Sequence, residues 1–490
     1  MKNYLRRARD LITSFLAGVF FCGNLSAEPA RATQSPNIVF ILADDLGWKD
    51  LSCYGSTFYK TPHLDRLAKE GVRFTDAYAA SPVCSPTRAS ILTGKYPARL
   101  HLTDWLPGRS DRPDQKLLRP AFLNQLPLEE QTLAEILKED GYISASIGKW
   151  HLGGKGFEPE KQGFALNIGG TESGMPETYF FPYRLRREAL PRLEQGTKGE
   201  YLTDRLTDEA IRFIEKNQQK PFFLYLPHFA VHVPLNAKAE LIRKYNRAAK
   251  PGDSQTNAVY AAMIESLDDS VGRILTKLEQ LHIAENTVVF FTSDNGGLAS
   301  GEGPGPSTSN EPLRGGKGHL HEGGIRVPLL VKWPGVTRAG TVSQTAVSSI
   351  DYFPTLLEMT GQKSARNLLS KTNSEMDGLS LVPLLREKTN SFSRPLYWHY
   401  PHYSNQGNKP GGAIREGDFK LIEDYETGRL ELYNLKEDLS EKNNLAKANP
   451  QKANQLEQKL DLWRRNVKAQ MMLPNPDFIP ARTNQKSSGG

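Results

Sequence analysis

The chain has 490 residues, and its 38% hydrophobic and 24% charged residues are typical of a folded globular protein with a large core. Its 41 Gly and 32 Pro follow no repeat, which excludes collagen-like and mucin-like proteins. The net charge of +7 includes no basic run dense enough to follow a nucleic-acid backbone, so we expect no nucleic-acid partner. After residue 30 no stretch is apolar for the roughly 18 residues that a membrane helix needs, so we expect no stable membrane partner.

The first 27 residues have the pattern of a signal peptide. Four basic residues come first, an apolar stretch follows from Leu11 to Gly23, and Ala27 supplies the small residue at which a signal peptidase cuts. An uncleaved membrane anchor is the alternative, but Thr13 and Ser14 interrupt the apolar stretch. We therefore predict a signal peptide over residues 1–27 and an exported protein, either periplasmic or secreted.

Short apolar runs rich in β-branched and aromatic residues alternate with helical patterns up to about residue 385. The runs predict strands at Ile38 to Leu42, Ile143 to Ile147, Phe222 to Leu226, Val288 to Phe291 and Leu329 to Val331. The helical patterns include Thr132 to Asp140 and Ala258 to Leu281. Continuous apolar strands are typical of a parallel sheet covered on both faces by helices. We predict an α/β core over residues 36–385 that binds its ligands beyond the carboxyl ends of the strands.

The pattern changes after residue 385, where short strands separated by turns replace the earlier alternation. These segments predict an antiparallel sheet with strands at Leu396 to His399, Ala413 to Arg415, Lys420 to Ile422 and Leu430 to Tyr433. A helix follows from about Pro450 to Val467, with Leu456, Leu460 and Trp463 on its packed face. We predict a smaller C-terminal subdomain over residues 386–480 and a flexible tail over residues 481–490.

Acidic and amide side chains follow two of the predicted strands. Asp44 and Asp45 come after the first run, and Asp294 and Asn295 come after the run that ends at Phe291. Either pair alone could be a helix cap or a turn. Two matching pairs at strand ends predict a site for a hard divalent cation. A set of oxygen ligands favours Ca²⁺ or Mg²⁺ over Zn²⁺, which prefers nitrogen and sulfur.

The most specific segment is Cys84-Ser85-Pro86-Thr87-Arg88, which resembles the Cys-x-Pro-x-Arg signature of the type I, formylglycine-dependent sulfatases. The segments that are similar to this family, in the family's order, are Cys84 to Gly94, Gly148 to Gly153, Asp294 to Gly296, Pro312 to Gly318 and Glu322 to Pro328. The resemblance extends from about Pro36 to Leu445. It implies an alkaline-phosphatase-like core, and the arylsulfatases and N-acetylgalactosamine-6-sulfatases are the similar members.

The resemblance implies a role for each matching residue. In these sulfatases the motif cysteine, here Cys84, is oxidised to formylglycine (3-oxoalanine) by a formylglycine-generating enzyme, and its hydrate attacks sulfur. Arg88 would stabilise the hydrated aldehyde, while Lys149 and Lys317 would contact the sulfate group. His151 would help to expel sulfate and restore the aldehyde. One Ca²⁺ would be held by Asp44, Asp45, Asp294, Asn295 and the modified Cys84.

The histidine that protonates the leaving alcohol has two candidates between Leu226 and Pro234. His232 has the His-x-Pro spacing that resembles the family, and His228 lies nearer the end of the predicted strand. We favour His232, with His228 as a substrate contact or a structural histidine. Geometry rather than spacing decides which residue acts as a general acid.

Aromatic rings and histidines alternate in the segment from Trp398 to Tyr403. One hypothesis is that this segment stacks on a sugar ring, with His399 or His402 bonding a hydroxyl group. The alternative, which we favour, is packing between the core and the C-terminal subdomain. The segment from Arg99 to Asp104, with His101, is a second candidate for the rim of the substrate site.

Export would leave two cysteines in the mature chain, Cys53 and Cys84. A disulfide between them is the alternative to a modified Cys84, but it does not account for Pro86 and Arg88 at their offsets. We predict that Cys53 is a buried free thiol near the metal-binding loop.

These features together predict a sulfuric ester hydrolase that releases inorganic sulfate from a sulfated carbohydrate or an aryl sulfate. Two alternatives stay open at this point. A phosphate or phosphonate ester hydrolase of the same superfamily would share the fold, although the additional Asp and His ligands of its two-zinc members are not found as a set. A non-catalytic binder of sulfated glycans would result if Cys84 were never converted.

Overall fold

The computed structural model describes residues 35–185, 188–249, 254–300, 306–370, 376–389 and 391–480. The predicted signal peptide at residues 1–27 and the predicted tail at residues 481–490 lie outside the described residues. Among the helices of the described ranges, none has the length and apolar character needed to cross a membrane.

The five strands predicted for the core all form, four of them extended by one or a few residues and the strand from Ile143 to Ile147 with the predicted bounds. In chain order the strands are β1 (Asn37–Ala43), β2 (Val72–Tyr78), β3 (Leu117–Leu118), β4 (Ile143–Ile147), β5 (Leu166–Ile168), β6 (Arg184–Leu185), β7 (Glu188–Ala189), β8 (Phe222–Pro227), β9 (Thr287–Ser293), β10 (Arg326–Lys332), β11 (Thr341–Ser343), β12 (Val347–Ser348), β13 (Leu396–Tyr400), β14 (Gly411–Glu416), β15 (Phe419–Asp424), β16 (Leu430–Asn434) and β17 (Leu473–Pro474). The predicted core strands correspond to β1, β4, β8, β9 and β10.

The helices are α1 (Pro62–Glu70), α2 (Cys84–Thr93), α3 (Pro97–Leu100), α4 (Leu133–Glu139), α5 (Leu202–Asn217), α6 (Ala239–Ala248), α7 (Ala258–Gln280), α8 (Glu322–Ile325), α9 (Tyr352–Thr360), α10 (Lys363–Ser370), α11 (Val382–Leu385) and α12 (Pro450–Asn466). The two helices predicted for the core both begin at a side-chain cap. Thr132 and Glu135 form a capping box at the start of α4, and the Asn257 side chain caps α7.

The central sheet has the strand order β11-β2-β10-β9-β1-β8-β4-β5, with β12 also paired to β2. Strand β1 is parallel to its neighbours β8 and β9, and β4 is parallel to β8 and β5. Strand β10 is antiparallel to both β9 and β2. The prediction of a mostly parallel sheet is confirmed. The exception is β10, because the connection from β9 begins and ends at the same edge of the sheet.

The side chains of β1 alternate between two buried cores, one on each face of the sheet. Val39 and Ile41 pack with residues of α1, α5 and α7 on one face. Ile38 and Phe40 pack with residues of α2, α4 and α9 on the other. Because both faces are covered by helices, this strand has no exposed side chain, which explains its continuous apolar sequence.

The C-terminal sheet has the order β13-β14-β15-β16, and all its pairs are antiparallel. Helix α12 packs on one face, where Leu456 and Leu460 join a cluster with Leu421. On the other face, Trp398 Nε1 donates a hydrogen bond to the carbonyl oxygen of Ala79 at 2.8 Å. The predicted antiparallel sheet with one helix is confirmed, and the sheet contacts the segment that precedes α2.

Candidate active site

The two polar pairs predicted to hold a cation meet at the carboxyl edge of the central sheet. Strands β1 and β9 are parallel neighbours with Ala43 opposite Ser293, so the residues that follow them are adjacent. The side-chain amide of Asn295 donates to Asp45 Oδ1 at 2.8 Å, and the backbone N–H of Asp45 donates to Asp294 Oδ1 at 3.3 Å. The structure brings all four predicted oxygen donors into one buried cluster.

Each carboxylate of this cluster is paired with a cation from another part of the chain. The ion pairs are Lys149 with Asp44 at 2.7 Å, Lys317 with Asp45 at 2.8 Å, and Arg88 with Asp294 at 2.7 Å. A buried charge is costly unless it is paired and hydrogen-bonded. The three cations are therefore part of what allows these carboxylates to be buried together.

The two adjacent aspartates respond differently to their surroundings. Burial raises the pKa of Asp44 to about 8, although Lys149 opposes the shift. Burial acts in the same direction on Asp45, but the neighbouring positive charges, above all that of Lys317, outweigh it and hold the pKa of Asp45 below its usual range. Additional positive charge beside Asp44 would favour its ionised form.

The donor set fits a hard divalent cation. Asp44 Oδ1 and Asn295 Oδ1 are buried and accept no hydrogen bond, so each has lone pairs free to coordinate an ion. Oxygen atoms of Asp44 and Asp45 and a ring nitrogen of His232 all lie within 4.8 Å of one another. Carboxylate and amide oxygens are the ligands that Ca²⁺ and Mg²⁺ prefer. Asp44, Asp45, Asp294 and Asn295 are the residues that could hold such an ion.

Helix α2 explains the spacing of the Cys-x-Pro-x-Arg motif. Cys84 is the first residue of the helix, and Pro86 lies in its first turn. Backbone N–H groups of the first turn make no intrahelical hydrogen bond, so a proline, which has no N–H, costs the helix nothing there. Arg88 lies four residues after Cys84 and therefore projects from the same side of the helix. There its guanidinium bonds Asp294 and also donates to the carbonyl oxygen of Lys149 at 2.8 Å.

The Cys84 thiol faces a histidine whose tautomer is determined by its other contact. Cys84 Sγ lies 3.4 Å from His151 Nδ1, and His151 Nε2 lies 2.7 Å from the carbonyl oxygen of Leu106. A carbonyl only accepts, so the ring proton is assigned to Nε2, and Nδ1 accepts from the thiol. Burial and the charge of Lys149 lower the pKa of His151 well below its usual value, while burial raises the pKa of Cys84. Both groups are therefore neutral at neutral pH.

Two residues of the site have a left-handed backbone conformation. The φ angles of Asp45 and His151 are 59° and 56°. Such a conformation costs of order 1–3 kcal/mol for a residue with a side chain and persists only where the surroundings enforce it. In both cases the side chain makes the contacts described above, which favours a functional role over a simple turn.

The two candidate general acids occupy different environments. His232 faces the cluster, with Nε2 at 3.5 Å from Asp45 Oδ2 and Nδ1 at 2.7 Å from the carbonyl oxygen of Val233. His228 is fully buried, and its Nε2 bonds Ser270 Oγ on α7 at 3.0 Å. Burial lowers the pKa of each histidine to about 3. This geometry favours His232 as the residue that reaches a substrate and His228 as a structural histidine.

A cavity of about 820 Å³ gives access to these groups. The predicted site residues that line it are Asp45, Cys84, His151, His232 and Lys317. Its other lining residues include Trp105, Asn124, Glu172, Met175 and Gln406. Apolar walls with a few convergent polar groups are typical of small-ligand sites. Arg88 and Lys149 are completely buried behind this surface.

Three of the histidines that were predicted to contact substrate, His101, His399 and His402, are not among the described residues that line the cavity. His399 is buried, and both of its ring nitrogens bond groups of the C-terminal subdomain. His402 is buried and bonds Thr103, while His101 bonds the backbone carbonyl of Lys468. The positions of the three histidines fit the packing alternative, and a role in substrate binding stays a prediction.

Both cysteines in the described part of the chain are free thiols, so no disulfide joins Cys53 to Cys84. Cys53 is half-buried rather than fully buried. Its backbone N–H donates to Asp65 Oδ1 at 2.9 Å, and burial raises the pKa of its thiol to about 12. The prediction of a free thiol is confirmed, and this thiol is unreactive at neutral pH.

Two features of the site have no signal in the sequence. The first is the carbonyl oxygen of Leu106, which fixes the His151 ring through the backbone alone. The second is Gly174, where an added Cβ would lie 2.5 Å from His151 Cε1. A glycine in a polar loop is common, so only the folded chain reveals that this one makes room for the His151 ring.

The fold and this cluster define a hydrolytic enzyme of the alkaline phosphatase-like class, and comparisons with known proteins agree. The family model described as Sulfatase matches residues 36–362, and the model described as N-sulphoglucosamine sulphohydrolase, C-terminal, matches residues 316–468. The chain is similar to a sulfatase of Formosa agariphila, with 35% identity over 523 residues and 92% of each chain covered.

Two further similarities bear on the site. Human N-acetylgalactosamine-6-sulfatase is 36% identical over 75% of this chain and 69% of its own. The crystal structure of Ps i-CgsB in complex with k-i-k-neocarrahexaose superposes with a TM-score of 0.74 at 30% identity, covering 88% of this chain and 93% of that one. This chain therefore belongs to the sulfatase family of the alkaline phosphatase-like superfamily, and it is a sulfuric ester hydrolase. The sulfatase interpretation is favoured over a phosphate or phosphonate ester hydrolase.

Replacing Gly174 with alanine tests whether the His151 ring must keep its position. The added methyl group would overlap the ring, which the Leu106 carbonyl and the Cys84 side chain hold in place. We expect kcat to fall by about 100-fold, because a displacement near 1 Å at a reacting group costs about that much. Steady-state kinetics with an aryl sulfate would measure it.

The matched control is Gly154→Ala in the same cavity. A Cβ at Gly154 would lie 3.3 Å from the side chain of the exposed Glu172, which can move aside. This variant should keep kcat near the value of the wild-type protein. Equal losses in the two variants would contradict a specific role for the space beside His151.

Proposed function

We propose that this protein hydrolyses the sulfate ester of a sulfated carbohydrate, using a formylglycine made from Cys84 and one bound Ca²⁺. The observation that carries the proposal is the position of Cys84. It begins a helix whose next turn supplies Arg88, it lies 3.4 Å from His151, and it lines the same cavity as Lys317 and His232.

The modified residue and the ion supply the chemistry that the unmodified side chains lack. When present, the hydrated aldehyde would supply two hydroxyl groups, one for attack on sulfur and one for release of sulfate, and the cation would supply Lewis acidity. Asp44, Asp45, Asp294 and Asn295 would hold the ion. Serine at this position would have no second hydroxyl group with which to expel the sulfate.

Lys149 and Lys317 contribute positive charge that favours binding of an anion. Lys149 and Lys317 both lie against the carboxylate cluster, and Lys317 lines the cavity. Burial disfavours the charge of Lys317, but Asp45 and neighbouring anionic groups outweigh this and raise its pKa, so it stays protonated. Fixed cations in a partly dry site offset the charge that grows on sulfate oxygens in the transition state. We assign both lysines to sulfate binding and Arg88 to holding residue 84 in register with the cluster.

Two histidines would transfer protons, His232 through Nε2 and His151 through Nδ1. In its neutral form His232 keeps its proton on Nδ1, which donates to the Val233 carbonyl, and this leaves Nε2 free toward the cavity. A bound anionic ester would raise its pKa and load Nε2 with the proton for the leaving alcohol. His151 Nδ1 is the acceptor beside residue 84 and would take a proton from it.

A sugar sulfate is the substrate class that we propose. One relative is named for N-acetylgalactosamine-6-sulfate chemistry, and a similar crystal structure contains a neocarrahexaose. The cavity of this chain has the aromatic ring of Trp105 and the side-chain amides of Asn124 and Gln406 among its lining residues. Aromatic faces and amides are suited to the apolar faces and hydroxyl groups of a sugar.

We also propose that the protein is exported and that a formylglycine-generating enzyme modifies it. The first proposal rests on the signal-peptide pattern of residues 1–27. The second rests on the intact Cys84-Ser85-Pro86-Thr87-Arg88 motif, which such an enzyme would read before the chain buries it. Cys84 is only 2% exposed in the folded protein, so modification would have to precede folding.

Mass spectrometry of the peptide spanning Ser81 to Lys95 tests this function. Protein purified from its native host should carry an aldehyde at residue 84 and release sulfate from a sugar sulfate. Cys84→Ala should fold, lack the aldehyde and release no sulfate. A retained thiol in native protein that still binds sulfated glycans would favour the non-catalytic binder.

Removal of calcium gives a second test. After treatment with EDTA, addition of Ca²⁺ should raise Tm, because a ligand at about 100 times its Kd stabilises the folded state by about 2.7 kcal/mol. Asp44→Asn should lose most of this increment. Asp268→Asn, which changes a buried carboxyl outside the cluster, should keep it. The proposed ion site is contradicted if Tm of the wild-type protein does not respond to Ca²⁺.

Leaving-group dependence distinguishes the two candidate general acids. His232→Gln should lower kcat by about 10²- to 10⁴-fold for a sugar sulfate, whose alkoxide must be protonated as it leaves. The same variant should lose much less with an aryl sulfate of an acidic phenol. His228→Gln should affect both substrates equally. The assignment fails if His232→Gln lowers the two rates by the same factor.

A further inference from the structure

A buried cluster on the far side of the Leu106 loop is not used by the mechanism described so far. It consists of Asp104, Tyr400 and His402, each at most 2% exposed. Tyr400 is the last residue of β13 in the C-terminal sheet, and Asp104 belongs to the core. The cluster therefore joins the two parts of the fold directly behind a loop that lines the cavity.

The Asp104 carboxyl organises this loop. Its Oδ1 accepts the backbone N–H of Trp105 at 2.9 Å and the hydroxyl group of Tyr400 at 3.0 Å. The backbone N–H of Arg109 also bonds the carboxyl. One side chain thus closes the turn that contains Leu106, and the C-terminal sheet fixes that side chain in place.

The same turn holds the catalytic residues from the other side. The backbone N–H of Leu106 donates to Ser85 Oγ at 3.2 Å, and its carbonyl oxygen accepts from His151 Nε2 at 2.7 Å. His151 Nδ1 in turn faces Cys84 Sγ at 3.4 Å. A continuous series of contacts therefore runs from Tyr400 to Cys84.

We propose that Asp104, held by Tyr400, is a positioning residue that keeps the Leu106 carbonyl on His151 and thereby fixes the proton of His151 on Nε2. Without that carbonyl, the ring could place its proton on Nδ1, and the atom facing residue 84 would become a donor instead of an acceptor. The tautomer part of the proposal stands on the structure alone. Its effect on turnover rests on the proposed role of His151.

The surroundings of Asp104 show which variants are informative. Burial raises the pKa of Asp104 to about 7, while hydrogen bonds from Tyr400, Trp105 and Arg109 oppose the shift. His402 Nδ1 lies 3.7 Å from Asp104 Oδ2 and has no hydrogen-bond partner. Asparagine would keep an acceptor oxygen for the turn without a buried charge, whereas alanine would remove it.

The test uses the full-length protein with ¹⁵N-labelled histidine. Nitrogen chemical shifts report which ring nitrogen carries the proton, and His151→Gln identifies the signals of His151. We expect His151 to have the Nε2–H form in the wild-type protein and in Asp104→Asn. Asp104→Ala should shift His151 toward the Nδ1–H form, and Tyr400→Phe should do so to a smaller extent.

Kinetics provide the second readout. Asp104→Ala should lower kcat for an aryl sulfate by about 10- to 100-fold, the loss typical of residues that orient a catalytic ligand, and leave KM unchanged. Asp104→Asn should restore most of the activity. If Asp104→Ala does not fold, Tyr400→Phe, which removes only one hydroxyl group, gives the same comparison.

The matched control is Asp268→Ala. Asp268 is also a buried carboxyl with its pKa raised to about 7, and it accepts two backbone N–H groups, but these belong to α1. The Asp268→Ala variant should have a lower Tm, with the His151 signals and kcat unchanged. An unchanged His151 tautomer in Asp104→Ala would overturn the positioning role. A changed tautomer with unchanged kcat would leave that role intact and contradict the proposed use of His151.

Discussion

Burying negative charge at the end of a sheet is costly, and the arrangement of this protein follows from how that cost is met. Three aspartates lie beyond β1 and β9, and each is at most 1% exposed. Each is paired with a cation from a different segment, namely α2, the residues after β4, and the connection between β9 and β10. The paired cluster therefore exists only where these distant segments of the folded chain converge.

The same constraint suits the site to its substrate. Of the three cations that are paired with the aspartates, Lys317 lines the cavity, and it is already fixed where we propose that an anionic ester binds. The histidines contribute differently, since burial lowers the pKa of both His151 and His232 and favours their neutral forms. The C-terminal sheet takes part as well, because Tyr400 supports the turn behind His151.

Much of this could be predicted from the sequence, for identifiable reasons. The core strands are buried on both faces and therefore appear in the sequence as continuous apolar runs. The Cys-x-Pro-x-Arg motif was found through its resemblance to the sulfatases, whereas the helix α2 that carries it was not predicted. The antiparallel direction of β10 was beyond such reasoning, because an apolar run has no direction. The positions of His399 and His402 depend on tertiary packing, and the Leu106 carbonyl has no signature in any side chain. Sequence patterns thus named side chains that meet in one cluster, but they gave no sign of the backbone carbonyl that contacts His151.

The reversed strand β10 has a consequence for how this architecture can diversify. Its connection from β9 leaves the sheet and returns at the same edge, and it carries Lys317 along the way. Lengthening or shortening that excursion would leave every strand pairing unaltered. Evolution can therefore change the length of this loop beside Lys317 while the strand order is kept, provided that Lys317 still reaches Asp45.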